Sequence, residues 1–205
     1  MKLRYSPTSP YVRKVLVSAM ELGLAERIER VPANPWDPDD DLPNSNPLGK
    51  VPALETDEGE LLFDSFVICD YLDSLQAPPQ LLPSDGSERR RVLQQHALAD
   101  GILDAAVLRL IERARRPEAL RWPEWADRQK DKIERALKLA EAGSLEAPAG
   151  SARLDLAQIT LGCALGYLDF RFPDEDWRAR YPKLAAWYEA VSARPALRET
   201  VPQEA

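Results

Sequence analysis

Apolar positions along the chain change period twice, and the changes divide it. Lys2, Leu3, Arg4 and Tyr5 alternate as a short half-buried strand does, after which Val12, Val15, Leu16, Ala19 and Met20 recur at helical spacing up to Gly23. Residues 28–31 make a second short strand. Strand, helix, strand in so short a stretch is what a parallel βαβ unit requires, because parallel strands need a crossover between them. Residues 32–47 then lose all period. Pro32, Pro35, Pro38 and Pro43, with the acidic run Asp39-Asp40-Asp41, exclude a long helix and predict a surface loop with room for a single turn. Residues 51–55 and 60–63 flank Thr56-Asp57-Glu58-Gly59 as the arms of a hairpin. Residues 65–75 follow as a helix with Phe66, Ile68, Cys69 and Leu72 as packing positions.

The order βαβ, loop, ββα matches a thioredoxin-like domain, a mixed four-stranded sheet covered by helices. Ala77-Pro78-Pro79 and Pro83-Ser84-Asp85-Gly86 punctuate the chain, and only helical period follows them. The predicted organisation is an α/β domain over residues 1–76, a linker over 77–86 and an all-α helical-bundle domain over 87–205. Ser87 is the predicted cap of a long helix whose stripe of Val92, His96, Ala99, Leu103, Val107 and Leu110 runs until Pro117 stops it. A second helix over 123–142 turns Trp125, Ile133, Leu137 and Ala140 inward. Asp155 and Gln158 have capping-box spacing and open an apolar helix through Ile159, Leu161, Cys163, Leu165 and Leu168, which should be central and buried. A last amphipathic helix uses Leu184, Trp187, Tyr188 and Val191 before Arg194-Pro195.

Composition narrows what such a chain does. With 205 residues, 44% of them hydrophobic and 30% charged, it is an ordinary globular protein. A formal charge of −7 opposes a large nucleic-acid surface, and Arg113, Arg115 and Arg116 read as a solvated helix end. No apolar run approaches membrane-spanning length and residues 1–10 lack a signal-peptide core, so a cytoplasmic protein with no membrane partner is expected. Cys69 and Cys163 lie far apart in apolar stretches and read as core residues. His96 is the single histidine, so no metal site is expected. No Gly-x-Ser-x-Gly surrounds any serine, which removes a serine-hydrolase reading.

The turn from Tyr5 to Lys14 holds the candidate chemistry. Ser9 is placed to cap the first helix and Pro10 to occupy its first turn, where a missing N–H costs nothing. The unpaired amides and positive potential of a helix start suit an anion, although the local pattern alone favours a plain cap.

Four segments in order carry a resemblance: Ser9-Pro10-Tyr11-Val12-Arg13-Lys14, Asn46-Pro47-Leu48-Gly49-Lys50-Val51-Pro52-Ala53-Leu54, Asp64-Ser65 opening a helix, and the Asp155-x-x-Gln158 cap. The chain resembles the cytosolic glutathione transferases, in particular the bacterial serine-type members. The resemblance implies glutathione as co-substrate, no metal, and a catalytic Ser9 whose hydroxyl donates a hydrogen bond to the glutathione thiolate, with Tyr5 as rival donor. It implies a cis Val51-Pro52 bond that turns backbone groups toward the ligand, Lys50 at the glycyl carboxylate, and Asp64 and Ser65 at the γ-glutamyl end. The implied second substrate is a small hydrophobic electrophile lying against the long helix, with Leu103, Val107 and Leu110 as candidate wall. A two-fold homodimer is implied, with Asp100 reaching toward the partner's glutathione. The implied activity is detoxifying conjugation or a related thiol reaction. The alternative is a non-catalytic interaction protein of the stringent starvation protein type.

Overall fold

The computed structural model describes residues 1–143 and 153–203; the parts of the expected helical span at 144–152 and 204–205 lie outside them. Strands β1 (Lys2–Tyr5), β2 (Glu29–Pro32), β3 (Ala53–Glu55) and β4 (Leu61–Leu62) form one mixed sheet in the order β2-β1-β3-β4. Helix α1 (Pro10–Glu21) is the crossover between the parallel pair β1 and β2, and β3 and β4 run antiparallel as a hairpin. Helix α2 (Ser65–Ser74) follows directly. The sheet and these two helices form the thioredoxin-like unit expected from the order of periods.

Register decides what gathers at each end of the sheet. Arg4 lies opposite Ala53, and Leu54 opposite Leu62. Pro52, just before β3, and Asp64, just after β4, therefore reach the end at which Tyr5 leaves β1. Side chains alternate faces along each strand, so Leu3, Tyr5 and the neighbouring Arg30 share one face and Arg4 points to the other. Leu3 is fully buried under α1 and α2, while Arg4 is ion-paired with Asp40 and Asp41 of the proline-rich loop. That loop contains a single 3₁₀ turn at Leu42–Asn44.

The rest is helical: α3 (Gly86–Leu110), running on into a π turn at Ile111–Arg115, α4 (Pro123–Ala142), α5 (Leu156–Arg171), α6 (Trp177–Arg180), α7 (Pro182–Ser192) and α8 (Pro195–Arg198). Helix α5 is the centre, buried throughout Leu156–Tyr167 except Gln158, and its capping box is complete. Gln158 N donates to Asp155 Oδ1 at 2.8 Å and Asp155 N donates to Gln158 Oε1 at 2.9 Å. Residues 80–82 are held firmly between the units. The buried Asp73 carboxylate accepts from the backbone N–H groups of Gln80, Leu81 and Leu82 at 2.6, 2.8 and 2.9 Å, and Leu81 O accepts from Leu156 N.

Two expectations are corrected, and two short helices have no counterpart among them. Helix α3 starts before Ser87, at Gly86, whose φ of +74° lets the chain turn out of Asp85, and no side chain caps it. In α4 the inward position of the first turns belongs to Gln129, fully buried, while Trp125 is half-buried and stacks on Trp122 with ring centroids 6.0 Å apart. The short helices α6 and α8 carry too few turns to show a period in sequence. Among the described residues no helix is long and apolar enough to cross a membrane.

Candidate functional site

Ser9 stands at the N-cap of α1 in extended conformation, and its Oγ accepts a hydrogen bond from Val12 N at 3.3 Å. Ser9 N donates to Ser6 O, closing the turn that carries the chain from β1 into the helix. Capping uses a lone pair of the hydroxyl and leaves its proton uncommitted. Among the described residues nothing accepts that proton, so one side chain both starts the helix and keeps a donor for something outside the protein. The plain cap is formed, and it does not use the hydroxyl proton.

Across the same end of the sheet stands the corner before β3. Asn46 is buried and staples the loop on itself, donating from Nδ2 to Lys50 O at 2.8 Å and accepting at Oδ1 from Leu48 N at 3.0 Å. Gly49 takes a φ of +60° inside this staple, a conformation that glycine adopts without steric cost. The Val51–Pro52 peptide is cis. Val51 itself is nearly buried, and among the described residues its amide and carbonyl take no part in a hydrogen bond, so both are open to an added extended segment. Lys50 is exposed at the corner's rim.

Asp64 caps α2 through Oδ1, which accepts from Phe66 N at 2.9 Å, and Ser65 behind it is buried. The Phe63–Asp64 peptide is also cis. Two helix N-termini, those of α1 and α2, thus meet at one end of the sheet with their positive potential toward the same space. The topology brings together Ser9, Lys50, Val51, Pro52, Asp64 and Ser65.

Behind α1 lies a second polar group. Lys14 is fully buried and its Nζ contacts Asp100 Oδ1 at 2.6 Å and His96 Nε2 at 3.3 Å, both on α3. Burial first, and the Lys14 charge second, push the His96 imidazole down to about 4, so the ring is neutral near pH 7 and stacks obliquely on Phe66 at 5.0 Å. His96 is therefore a packing partner of the charged pair, and Ser9 has no contact with it. One turn away the Tyr11 hydroxyl donates to Asp104, and burial together with that carboxylate pushes the phenol far above its usual range. Cys69 and Cys163 are fully buried, and burial raises each thiol to about 11. They belong to the core. Of the expected wall on α3, Leu103 is fully buried in that core, and only Val107 and Leu110 remain half-exposed.

Sequence reasoning named the corner but missed the parts that hold it. The stapling role of Asn46 is one of these; an asparagine before Pro-x-Gly is the signal that points to it. Lys14 sits among residues that are buried on every side of α1, and a lysine inside such a run signals a buried partner. Arg13 is the other missed cation. It donates from Nη2 to Leu197 O at 2.9 Å and from Nε to Thr200 Oγ1 at 3.3 Å, tying the chain after α8 to α1. Among the described residues no group of three or more histidine, cysteine or acidic side chains is arranged to hold a metal ion.

Comparison with known proteins agrees with this geometry. Residues 8–75 match the model of the glutathione S-transferase N-terminal domain and residues 123–190 that of the C-terminal domain. The uncharacterized GST-like protein YibF of Escherichia coli K12 is 38% identical over 205 residues, the whole of both chains. A glutathione transferase family member from Pseudomonas fluorescens Pf-5, solved with bound glutathione, superposes with a TM-score of 0.92 at 47% identity, covering 99% of each chain. A glutathione S-transferase from Methylobacillus flagellatus KT, also with glutathione bound, gives 0.89 at 39% identity over 98% of this chain and 99% of that one. The two domain matches, the full-length relative and the shared fold establish that the chain belongs to the glutathione S-transferase family.

Proposed function

We propose that this chain is a glutathione transferase in which Ser9 keeps the glutathione sulfur ionised for attack on a small electrophile. The observation that carries the reading is the uncommitted Ser9 proton at the mouth of α1. A thiol of ordinary pKa near 8.5 is roughly 3% thiolate at pH 7; lowering it by about two units makes roughly three quarters of it thiolate and needs about 2.7 kcal/mol. A hydrogen bond to a charged group supplies about 1.5–3 kcal/mol and a helix N-terminus about 0.3–1 kcal/mol more. One hydroxyl on this helix start is enough. Val51 offers its open amide and carbonyl to the tripeptide backbone, Lys50 meets the glycyl carboxylate, and Ser65 with the α2 amides holds the γ-glutamyl carboxylate while Asp64 faces its ammonium.

Once formed, the thiolate gives its electron pair to an electrophilic carbon, forming a C–S bond as a leaving group departs or as a neighbouring carbon takes up a proton. The second Pseudomonas fluorescens Pf-5 complex, 46% identical with a TM-score of 0.88, holds S-(propanoic acid)-glutathione, a thioether of the kind such a step yields. The domains at 1–76 and 87–205 and a two-fold homodimer belong to the same reading. An interaction module of the stringent starvation protein type is not favoured, because relatives this similar are solved with glutathione bound.

Titration calorimetry with glutathione, followed by a screen of electrophiles on native protein, Ser9→Ala and Tyr5→Phe, tests the proposal. Binding, together with turnover that fails in Ser9→Ala, is expected. Full turnover by Ser9→Ala at neutral pH removes Ser9, and loss confined to Tyr5→Phe moves the role there.

A further inference from the structure

A cavity of about 240 Å³ lies beside Ser9, between the turn after β1, the edge strand β2 and the chain after α8. Strand order places it away from the Val51–Pro52 corner, since β2 and β3 flank β1 on opposite sides. Tyr5, Ser6 and Ser9 form one wall, Glu199 and Thr200 the other, and Arg30 stands on the β2 side. About 150 Å³ suffices for a benzene ring, so the space accommodates a ring with substituents.

The charges around it are unequal. The Arg13 guanidinium also borders the cavity, but it is buried and bound to Leu197 O and Thr200 Oγ1, so it positions the far wall. The Glu199 carboxylate is paired with Arg198 at 3.3 Å. Arg30 has no carboxylate partner among the described residues; its guanidinium carbon lies 5.9 Å from the centre of the Tyr5 ring. The acidic loop does not neutralise it. Register puts Arg30 on the face shared with Leu3 and Tyr5, whereas Asp40 and Asp41 pair with Arg4 on the opposite face.

We infer that this cavity receives the second substrate and that Arg30 selects for a carboxylate on it, which makes the substrate class small electrophilic carboxylates. The chemistry rests on the glutathione reading above; the recognition by Arg30 does not. An uncommitted guanidinium beside an aromatic ring is a recurrent seat for a planar carboxylate, which it meets with two parallel hydrogen bonds. Arg13 helps hold the wall that completes the cavity by bonding Leu197 O and Thr200 Oγ1.

A matched pair of probes tests it: 4-chloro-3-nitrobenzoate and 4-chloro-3-nitrobenzamide. With either, the thiolate electron pair forms the C–S bond at the chlorine-bearing carbon, the C–Cl bond breaks and chloride leaves. Native protein should favour the benzoate over the amide in kcat/KM. In Arg30→Ala that ratio should fall about tenfold, the equivalent of about 1.4 kcal/mol, and Arg30→Lys, which keeps the charge but not the paired hydrogen bonds, should fall between the two. Binding of the benzoate without glutathione, followed by NMR, should weaken by a similar factor in Arg30→Ala. A ratio that Arg30→Ala leaves unchanged overturns the inference, as does benzoate binding that is indifferent to the substitution. Arg30-dependent benzoate binding in a protein that fails to take up glutathione supports the recognition by Arg30 and overturns the transferase reading instead.

Discussion

Helix α1 presents polar groups at its tip and in its middle, and the two behave in opposite ways. At the tip, Ser9 is half-exposed and has given only a lone pair to the fold; its proton is still available. In the middle, Lys14 is fully enclosed and its charge is satisfied by Asp100 and His96, so nothing is left for a ligand. Both are polar groups on one helix, a turn and a half apart. Unused bonding capacity is what the role proposed for Ser9 requires, and consumed capacity is what makes Lys14 part of the framework.

The largest test of this contrast is Lys14→Ala. Removing one partner of a buried ion pair costs about 3–5 kcal/mol, and because the Asp100 side chain is 23% exposed we expect the lower end, about 3 kcal/mol, read from the urea midpoint. Lys14→Met combined with Asp100→Leu should recover much of that loss, since no orphaned charge remains. An unchanged midpoint in the single variant breaks the comparison.

Next comes pH. In the folded chain His96 stays neutral down to about 4, whereas in the unfolded chain it takes a proton near 6.5. Between those values the unfolded state binds more protons, so stability is level above about pH 6.5 and falls as pH drops toward 4, by about 2–3 kcal/mol. In His96→Gln this component of the slope should vanish.

At the tip the expectation inverts. Ser9→Ala should lower kcat/KM at neutral pH roughly ten- to a hundredfold, from a lost bond of about 1.5–3 kcal/mol to a charged sulfur, and should shift the thiol limb of the pH–rate profile upward. The same substitution should cost only about 1 kcal/mol of stability, the ordinary value of a helix cap. A stability loss as large as that of Lys14→Ala would make Ser9 a structural residue after all.

Much of this was legible in the sequence because local rules and tertiary packing agreed. The βαβ unit, the proline-punctuated loop, the hairpin and the Asp155-x-x-Gln158 box each state their structure through period or capping, and the described chain follows them. Where the two disagreed, burial could not be read locally. Trp125 reads as the better inward residue, yet it sits where α4 has only begun to meet the bundle, and Gln129 one turn later is covered. The spacing of Leu103 suits a substrate wall and a core position equally, and it lies in the core where α5 packs on α3. The cavity beside Ser9 had no sequence signature at all, since its walls come from residues 5–9, Arg30 and residues 199–203, which only the completed fold brings together.

The Asp73 carboxylate gathers three successive amides at the passage from sheet to helices. A joint tied in this way is a poor hinge, because swinging one unit away from the other would strip three bonds from a buried anion at once. Parting the two units at this joint would leave a buried carboxylate without its partners, so the passage resists bending more than a free linker would.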